Sequence, residues 1–311
     1  MFAVEEANTV PLALTATENW VAVAASSPQG GWSVFLAFAT MQTTHLTLTT
    51  PMLSSTDTGV QVDATPVSLD LSDDDVLAVC LGAGGVRLYQ LYAPLPPTPE
   101  RKPLLLRTLG AGFTALTAKW VSQVSVNALA LVVWSRRPTR DALQVYGAVS
   151  TSSACAAQEV LTTACRCIFA VSATRTGYAV AVTNGLVVHL LKLVHDRGFT
   201  VKKIVLSTLS KPEHAPCCLQ LRSVAVGTQL LAVGCDTANG NGVVEVFNID
   251  SGAMLEQREL PLRSPTAVAT SGMRVIVGGS SYLPGVKRSR GLKPNLAIAR
   301  AHTHTHTPML L

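Results

Sequence analysis

The sequence predicts an all-β fold made of repeated small sheets, the β-propeller. Three observations predict it: short strand-like runs come in groups of four, the groups recur along the chain, and Gly, Asn, Asp, Ser and Pro clusters separate the runs. The chain has 311 residues, 48% of them hydrophobic and 14% charged, which supplies ample material for a buried core. We expect about six four-stranded blades, or an incomplete seven-bladed ring.

The second run of each group is mostly apolar, without alternation, and sets the period. Successive starts lie 56, 52, 50, 51 and 45 residues apart, at Trp20, Val76, Ala128, Tyr178, Gln229 and Arg274. A period of this length accommodates four strands with their turns. Because these runs lack alternation, we expect strands that are covered on both faces.

The third and fourth runs complete the groups. Five third runs follow a turn and start at Trp32, Val86, Ala142, Leu186 and Val243. Their turns contain Gly84-Gly85, Asn184-Gly185 and Asn241-Gly242, which tolerate the positive φ of tight hairpins. Fourth runs starting at Thr44, Thr200 and Met254 are more polar, which predicts outer strands with one face in water.

The sixth group shows only two runs, which start at Pro265 and Arg274. Two segments could complete it: NLAIARA at 295–301, or the N-terminal MFAVEE as an added outer strand. The alternative is that the chain ends within a sixth or seventh blade. Exposed sheet edges tend to pair or aggregate, which favours a completed sixth sheet. This argument does not distinguish between the options.

One segment, Leu230 to Gly252, resembles the second and third strands of the WD-repeat family. Phe247-Asn248 stand where that family has Trp-Asp, and Asp250-Ser251-Gly252 resemble the following turn. The stretch from Val67 to Tyr92 is similar to the same pattern. Because no repeat contains Trp-Asp or the opening Gly-His pair, the resemblance is to a divergent WD40-like propeller. It implies a non-catalytic scaffold or adaptor for protein–protein interactions within a multiprotein complex.

The net charge of +5 is concentrated at the C-terminus. Five of the 24 Lys and Arg residues follow Gly285, which leaves 19 against the 19 Asp and Glu residues. We therefore predict a propeller at 1–284 and a basic, low-complexity tail at 285–311. A neutral body has no bulk attraction for phosphate, so nucleic acid would bind only through the tail, where Lys287, Arg288, Arg290 and Lys293 lie. A nuclear, nucleic-acid-associated complex is the alternative function.

A proline-rich segment carries the one interaction motif with a clear mechanism. Pro96, Pro99 and Arg101, within APLPPTPERKP, fit the P-x-x-P-x-R pattern of ligands for SH3-type domains. Such segments are already extended, so binding costs little conformational entropy. The alternative is a loop between a third and a fourth strand that the prolines stiffen.

Other patterns have structural explanations, and we predict no cofactor, metal or catalytic residue. The GAGG at Gly82 to Gly85 precedes a strand rather than a helix, which predicts a hairpin turn. Asp73, Asp74 and Asp75 lack calcium-loop spacing, and Cys165 and Cys167 do not form paired zinc motifs. His189 and His45 lack a neighbouring nucleophile motif, and the repeated histidines at 302, 304 and 306 are terminal and low in complexity. An enzyme or exchange factor is the third alternative. It would need polar residues that are distant in sequence to converge at the central channel of the propeller.

Targeting features are also absent from the sequence. No apolar run approaches the roughly 20 residues of a membrane helix, and Glu5 and Glu6 do not suit a signal peptide. The 7 cysteines are odd in number and lack disulfide-framework spacing. We expect a cytoplasmic or nuclear protein without a membrane partner.

Overall fold

The computed structural model is all-β over the residues that it describes. These are residues 2–4, 10–17, 19–26, 31–38, 46–48, 51–54, 64–91, 103–110, 113–123, 128–147, 157–163, 168–183, 187–194, 198–205, 214–225, 228–237, 242–260, 263–271, 274–280 and 295–297. Within these ranges the chain forms strands and turns but no α-helix, which confirms the predicted class. No helix capable of spanning a membrane occurs in them.

Two compact units make up the chain. The first comprises Met1–Ile168, Arg175–Gly177 and Leu193–Phe199. The second comprises Phe169–Thr174, Tyr178–Lys192 and Thr200–Leu311.

Three four-stranded antiparallel sheets form the first unit, beside a parallel pair of β1 (Phe2–Val4) and β5 (Leu46–Leu48). Sheet 1 has the order β2-β3-β4-β6, with β2 (Val10–Ala16), β3 (Trp20–Ser26), β4 (Trp32–Phe38) and β6 (Pro51–Ser54). Sheet 2 contains, in chain order, β7 (Ser68–Leu71), β8 (Val76–Cys80), β9 (Val86–Gln90) and β10 (Leu104–Leu109). Sheet 3 contains β11 (Thr114–Gln123), β12 (Ala128–Arg136), β13 (Asp141–Gly147) and β14 (Ala157–Thr162).

The later sheets repeat this order. Sheet 4 contains β15 (Ile168–Ala173), β16 (Tyr178–Thr183), β17 (Val187–Val194) and β18 (Gly198–Val205). Sheet 5 contains β19 (His214–Ala225), β20 (Thr228–Thr237), β21 (Gly242–Asn248) and β22 (Ala253–Leu260). Sheet 6 contains β23 (Arg263–Ser271), β24 (Arg274–Ser280) and β25 (Asn295–Ala297). All six predicted second runs and all five predicted third runs are therefore strands at the expected places.

Strand β8 shows why the second runs are apolar without alternation. All five of its residues are buried. Leu77 and Val79 pack into a cluster shared with Trp20 and Trp32 of sheet 1, whereas Val76 and Cys80 belong to a different cluster. That second cluster also contains residues of sheet 3, among them Leu131 and Val133. Because successive side chains of a strand point to opposite faces, a strand between two sheets needs apolar residues on both.

The fourth strands of sheets 2, 3 and 5 are mostly exposed, as predicted for outer strands. In β10, β14 and β22 most residues are exposed or half-buried, and only the last residue of β10 and of β22 is buried. Each is the last strand in the order of its sheet. A strand at the edge has a neighbour on one side only, so polar residues meet water there at little cost.

Sheet 1 departs from the prediction at its outer strand. We assigned the fourth strand to the run starting at Thr44, but Leu46–Leu48 pairs with β1, and Pro51–Ser54 pairs with β4. Burial explains the choice, because the β6 strand places Leu53 in the core with 4% of its surface exposed. Both runs are short, so their patterns alone did not distinguish them.

The two segments proposed to complete the sixth group pair with different strands. Phe2–Val4 is a strand, but it pairs with β5 instead of adding to sheet 6. Asn295–Ala297 pairs with β24, so sheet 6 has three described strands. This third strand lies inside the range 285–311 that the sequence assigned to the tail.

The turn after β21 has the features that the resemblance implied. Phe247 is fully buried, and the Asn248 side-chain oxygen accepts hydrogen bonds from the amides of Asp250 (2.9 Å) and Ser251 (3.1 Å). Gly252 follows at a φ of 72°, a left-handed conformation that suits glycine. The Asp250 carboxylate also accepts the amide hydrogen of Gln229 at 3.0 Å, which ties the turn to β20.

Candidate functional site

A hairpin between β12 and β13 gathers three arginines at one end of sheet 3. Arg136 ends β12, and Arg137 and Arg140 flank the turn, whose Pro138 and Thr139 are exposed. The Arg137 amide donates a hydrogen bond to the Arg140 carbonyl at 2.8 Å, which closes the turn. We call Arg136, Arg137 and Arg140, with their turn, the arginine hairpin.

Asp141 anchors this hairpin from within the protein. Its side chain has no exposed surface, and Arg136 donates to it from Nε at 2.9 Å and from Nη2 at 3.3 Å. The Ile168 amide donates to the same carboxylate at 3.1 Å. A buried charge is tolerated only when it is paired and hydrogen-bonded, and Asp141 meets that condition.

Hydrogen bonds beyond the side chain hold Asp141 in place. The Thr163 hydroxyl donates to the Asp141 carbonyl at 3.0 Å, and the Ser135 hydroxyl donates to the Ala142 carbonyl at 3.3 Å. The hydrogen bond with Asp141 also raises the pKa of Arg136, so this guanidinium stays charged. The Arg136 guanidinium lies 5.7 Å from the centre of the Trp134 ring, a cation–π distance.

Arg137 and Arg140 have weaker partners. The Glu159 carboxylate of β14 lies 3.2 Å from Arg137 and 3.9 Å from Arg140, so one acid serves two guanidinium groups. About a third of each of these side chains is exposed: 34%, 38% and 30% for Arg137, Arg140 and Glu159. Exposed ion pairs contribute about 0–1 kcal/mol to stability, because water screens them. These two arginines are therefore available to other anions.

A second polar group lies among the first strands of sheets 1 to 3. The Asp70 carboxylate accepts the Trp120 amide hydrogen at 2.7 Å and lies 3.4 Å from both the Lys119 ammonium and the Thr15 hydroxyl. Since these residues come from β2, β7 and β11, one carboxylate joins three sheets. Its oxygens are engaged internally, so we interpret Asp70 as a structural residue.

The aspartate run forms a turn, as the sequence predicted. Asp73 and Asp74 are exposed, and Asp75 adopts a φ of 56°. The Ser72 hydroxyl accepts the Val76 amide hydrogen at 3.0 Å, and Asp73 makes a 2.8 Å ion pair with Arg175. Among the described residues, no group of three or more His, Cys, Asp or Glu side chains is placed to hold a metal ion.

Glycines form the turn between β8 and β9. Gly82 and Gly85 have φ values of 56° and 74°, and a strand follows. The Gly84 amide donates a hydrogen bond to the Leu81 carbonyl at 2.9 Å, so its hydrogen is used within the turn itself. The predicted hairpin turn is therefore present.

The described cysteine and histidine side chains have local structural roles. Cys80 and Cys235 are buried, and burial raises the pKa of Cys80 to about 12. A thiol that stays protonated at neutral pH is a poor nucleophile. His189 lies 3.2 Å from the Thr183 hydroxyl, as expected for a strand histidine with a local hydrogen bond. His45 and the side chains of the other cysteines lie outside the described part.

The residues singled out for binding from the sequence also lie outside the described residues. These are Pro96, Pro99 and Arg101 in the proline-rich segment, and Lys287, Arg288, Arg290 and Lys293 in the basic tail. The arginine hairpin was missed. Its signal was SRRPTRD, a charged run between two well-defined strand patterns, and it could have been found by scanning the predicted hairpin turns for charge.

Similarity to known proteins lies in structure rather than sequence. No protein-family model matches the chain, and no curated protein sequence matches it either. The β-propeller domain of Cps50 (Swd1) from Myceliophteria thermophila is similar at a TM-score of 0.57 and 11% identity, over 86% of this chain and 80% of that one. Sqt1 from Chaetomium thermophilum is similar at a TM-score of 0.56 and 13% identity, over 90% of this chain and 69% of that one. At these identities the likeness concerns the fold, and the chain therefore has the β-propeller fold that its WD-repeat-like pattern predicted.

Proposed function

We propose that this protein is a non-catalytic scaffold that binds other proteins within a multiprotein complex. The arginine hairpin is the observation that carries the proposal, because it presents charged side chains on a rigid turn while the strands around it are used in packing. Functional residues commonly lie on loops that a rigid scaffold positions. The fold supports this role by analogy, since propellers bind partners through loops at the ends of their sheets.

The partners in this proposal are proteins of the cytoplasm or nucleus. The buried free thiol of Cys80 is compatible with a reducing compartment. We keep the segment with Pro96, Pro99 and Arg101 as a second proposed contact, for an SH3-type domain. Replacing both prolines by alanine should abolish binding to such a domain, as measured by pull-down with a panel of purified SH3 domains.

Affinity capture tests the scaffold proposal directly. The tagged full chain is expressed in its native cells, captured, and its co-purifying proteins are measured by quantitative mass spectrometry against the tag alone. We expect a reproducible set of partners in amounts comparable to the chain itself. Recovery of the chain without any enriched protein in repeated captures would contradict the proposal.

A second candidate function rests on the charge of the tail. Five basic residues and no acidic residue follow Gly285, so a nuclear complex in which the tail contacts phosphate is the alternative. Binding to a generic DNA duplex would then weaken steeply with added salt and vanish when residues 285–311 are removed. Fluorescence anisotropy with a labelled duplex measures both effects.

A further inference from the structure

We propose that the arginine hairpin binds an extended acidic segment of a protein partner, whose carboxylates replace Glu159 beside Arg137 and Arg140. This inference rests on the proposed scaffold function and deepens it by naming the chemistry of the partner. The ligand class is a carboxylate-rich peptide. Four features of the hairpin and its neighbouring strand support it.

Charge is the first feature. Asp141 is fully buried, and its oxygens are used by Arg136 and by the Ile168 amide. Arg137 and Arg140 therefore share the single Glu159 carboxylate, at 3.2 Å and 3.9 Å. Among the described residues, three guanidinium groups face two carboxylates at this turn, which leaves one positive charge uncompensated there.

The second feature is that an outside carboxylate can replace Glu159 at the two arginines. Glu159 and the two arginines are each about a third exposed, so water already competes for their ion pairs. An exposed pair of this kind holds its members weakly. A carboxylate from outside can therefore take over Arg137 and Arg140 without loss of a strong internal contact. Glu159 acts as an internal competitor for the acidic ligand.

Rigidity is the third feature. The two hydrogen bonds with Asp141 and the Trp134 ring fix Arg136, while the Arg137 amide bonded to the Arg140 carbonyl closes the turn. A preformed site loses little conformational entropy when a ligand binds. The planar fork of arginine also matches the geometry of a carboxylate better than a lysine would.

The position of Glu159 supplies the fourth feature. It lies on β14, the last strand in the order of sheet 3, and Ala157, Gln158 and Glu159 are all exposed. In the described structure no further strand pairs with the outer edge of β14. An extended peptide can add to such an edge through its main chain. Acidic residues at every second position would then place their carboxylates on one face, toward the arginines.

Nucleic acid fits this surface less well than an acidic peptide. Three arginines with one uncompensated charge offer few phosphate contacts, whereas duplex binding depends on many. The body of the chain outside the C-terminal tail is neutral in balance, so no wider basic surface is implied by its composition. We therefore commit to a protein ligand and treat nucleic acid as an outcome of the test.

The experiment uses the full chain and a fluorescein-labelled peptide of ten alternating Glu and Ser residues, with a Gln-Ser peptide as the uncharged control. Affinity is measured by fluorescence anisotropy at low salt. We expect Arg137→Gln with Arg140→Gln to weaken binding at least about fivefold, because charge-assisted pairs are lost. We expect Glu159→Gln to tighten binding about threefold, because the internal competitor is neutralised.

A matched control replaces a cation elsewhere. Lys202 is exposed on β18, and Lys202→Gln should leave the affinity unchanged. The opposite effects of the arginine and glutamate variants are the signature of competition, which a merely structural role would not produce. If the double arginine variant fails to fold, Glu159→Gln alone decides, because glutamine has nearly the same shape.

Equal affinity of the wild type, the arginine variant and Glu159→Gln would overturn the proposal. So would binding of single-stranded DNA that depends on these arginines when the acidic peptide does not bind. Affinity capture separates this inference from the scaffold function. If the arginine variant retains every partner of the wild type, the scaffold function is supported and binding of an acidic segment at the arginine hairpin is contradicted. If the wild type captures no partner, the scaffold function itself is contradicted.

Discussion

At the level of single residues, several turns depend on backbone positions that few side chains can occupy. Gly85 has a φ of 74°, and a Cβ added there would lie 2.2 Å from the Leu109 carbonyl oxygen. Asp75, at a φ of 56°, is the one non-glycine residue with positive φ among those described. Aspartate tolerates this conformation better than most residues, because its short polar side chain bonds locally.

Gly85→Ala should strongly destabilise the protein. The added methyl group would collide with the backbone of Leu109 and Gly110, and alanine disfavours positive φ, so we expect a loss of about 3 kcal/mol or more. Gly147→Ala is the matched control, since a Cβ there meets nothing within 4 Å. Urea unfolding followed by circular dichroism measures both, and equal midpoints would contradict the prediction.

Asp75 should make stability depend on pH. Burial raises its pKa, hydrogen bonding with Trp20 lowers it, and the charges of Asp74 and Asp73 raise it further. A raised folded-state pKa means that the ionised form is less favourable in the folded chain. The contribution of Asp75 is therefore fully present below its unfolded pKa of about 3.9 and is lost as the pH rises through the folded value.

Asp75→Asn should remove this effect, because asparagine stays neutral and tolerates positive φ. We expect the variant to melt at a higher temperature than the wild type near about pH 7, and the difference to disappear near about pH 3. Thermal denaturation across this pH range measures it. A variant that is less stable at neutral pH would show that the carboxylate charge is favourable instead.

At the level of elements, burial distinguishes the second strands from the fourth. Strand β8 is buried at every position, whereas Leu104, Leu105 and Leu106 of β10 are 51%, 46% and 41% exposed. Apolar character alone does not separate these two runs, since both are rich in large hydrophobic residues. Their places in sheet 2 separate them, because β8 pairs with a strand on each side, whereas β10 pairs with β9 alone among the described strands.

Leu77→Ala and Leu105→Ala should therefore differ sharply. Leu77 is fully buried between sheets 1 and 2, and its truncation leaves a cavity that costs about 3 kcal/mol. Leu105 is 46% exposed, and its truncation should cost less than about 0.5 kcal/mol. Chemical denaturation of both variants gives the comparison. Similar losses would mean that β10 is covered by something that hides Leu105.

At the level of the whole molecule, neighbouring sheets within each compact unit complete their cores with one another's residues. Val86 and Leu88 of sheet 2 share a cluster with Leu131 of sheet 3, and Val244 of sheet 5 shares one with Val277 of sheet 6. Such repeats are stabilised mainly by their neighbours, so the ends of the array need protection. In sheet 6 the described outer strand is β25.

Two truncations test where the folded part ends. Removal of residues 298–311 spares β25 and should leave the melting temperature unchanged. Removal of residues 285–311 takes away β25, which pairs with Val277, Gly278 and Gly279, and should lower the melting temperature by exposing the edge of β24. Calorimetry on both truncated proteins measures this. Equal melting temperatures would place the end of the folded domain before residue 285, as the sequence suggested.

The sequence by itself determined the strands, their order and their grouping, because burial imposes an apolar pattern that is local and readable. The second runs, and the turn from Asn248 to Gly252, were predictable for this reason. Only the tertiary structure decided which residues meet. Arg137 and Glu159 are 22 residues apart and form an ion pair because β13 pairs with β14, and β6 displaced the run at Thr44 because Leu53 fits the core. Such choices depend on packing between distant segments, which no local pattern records.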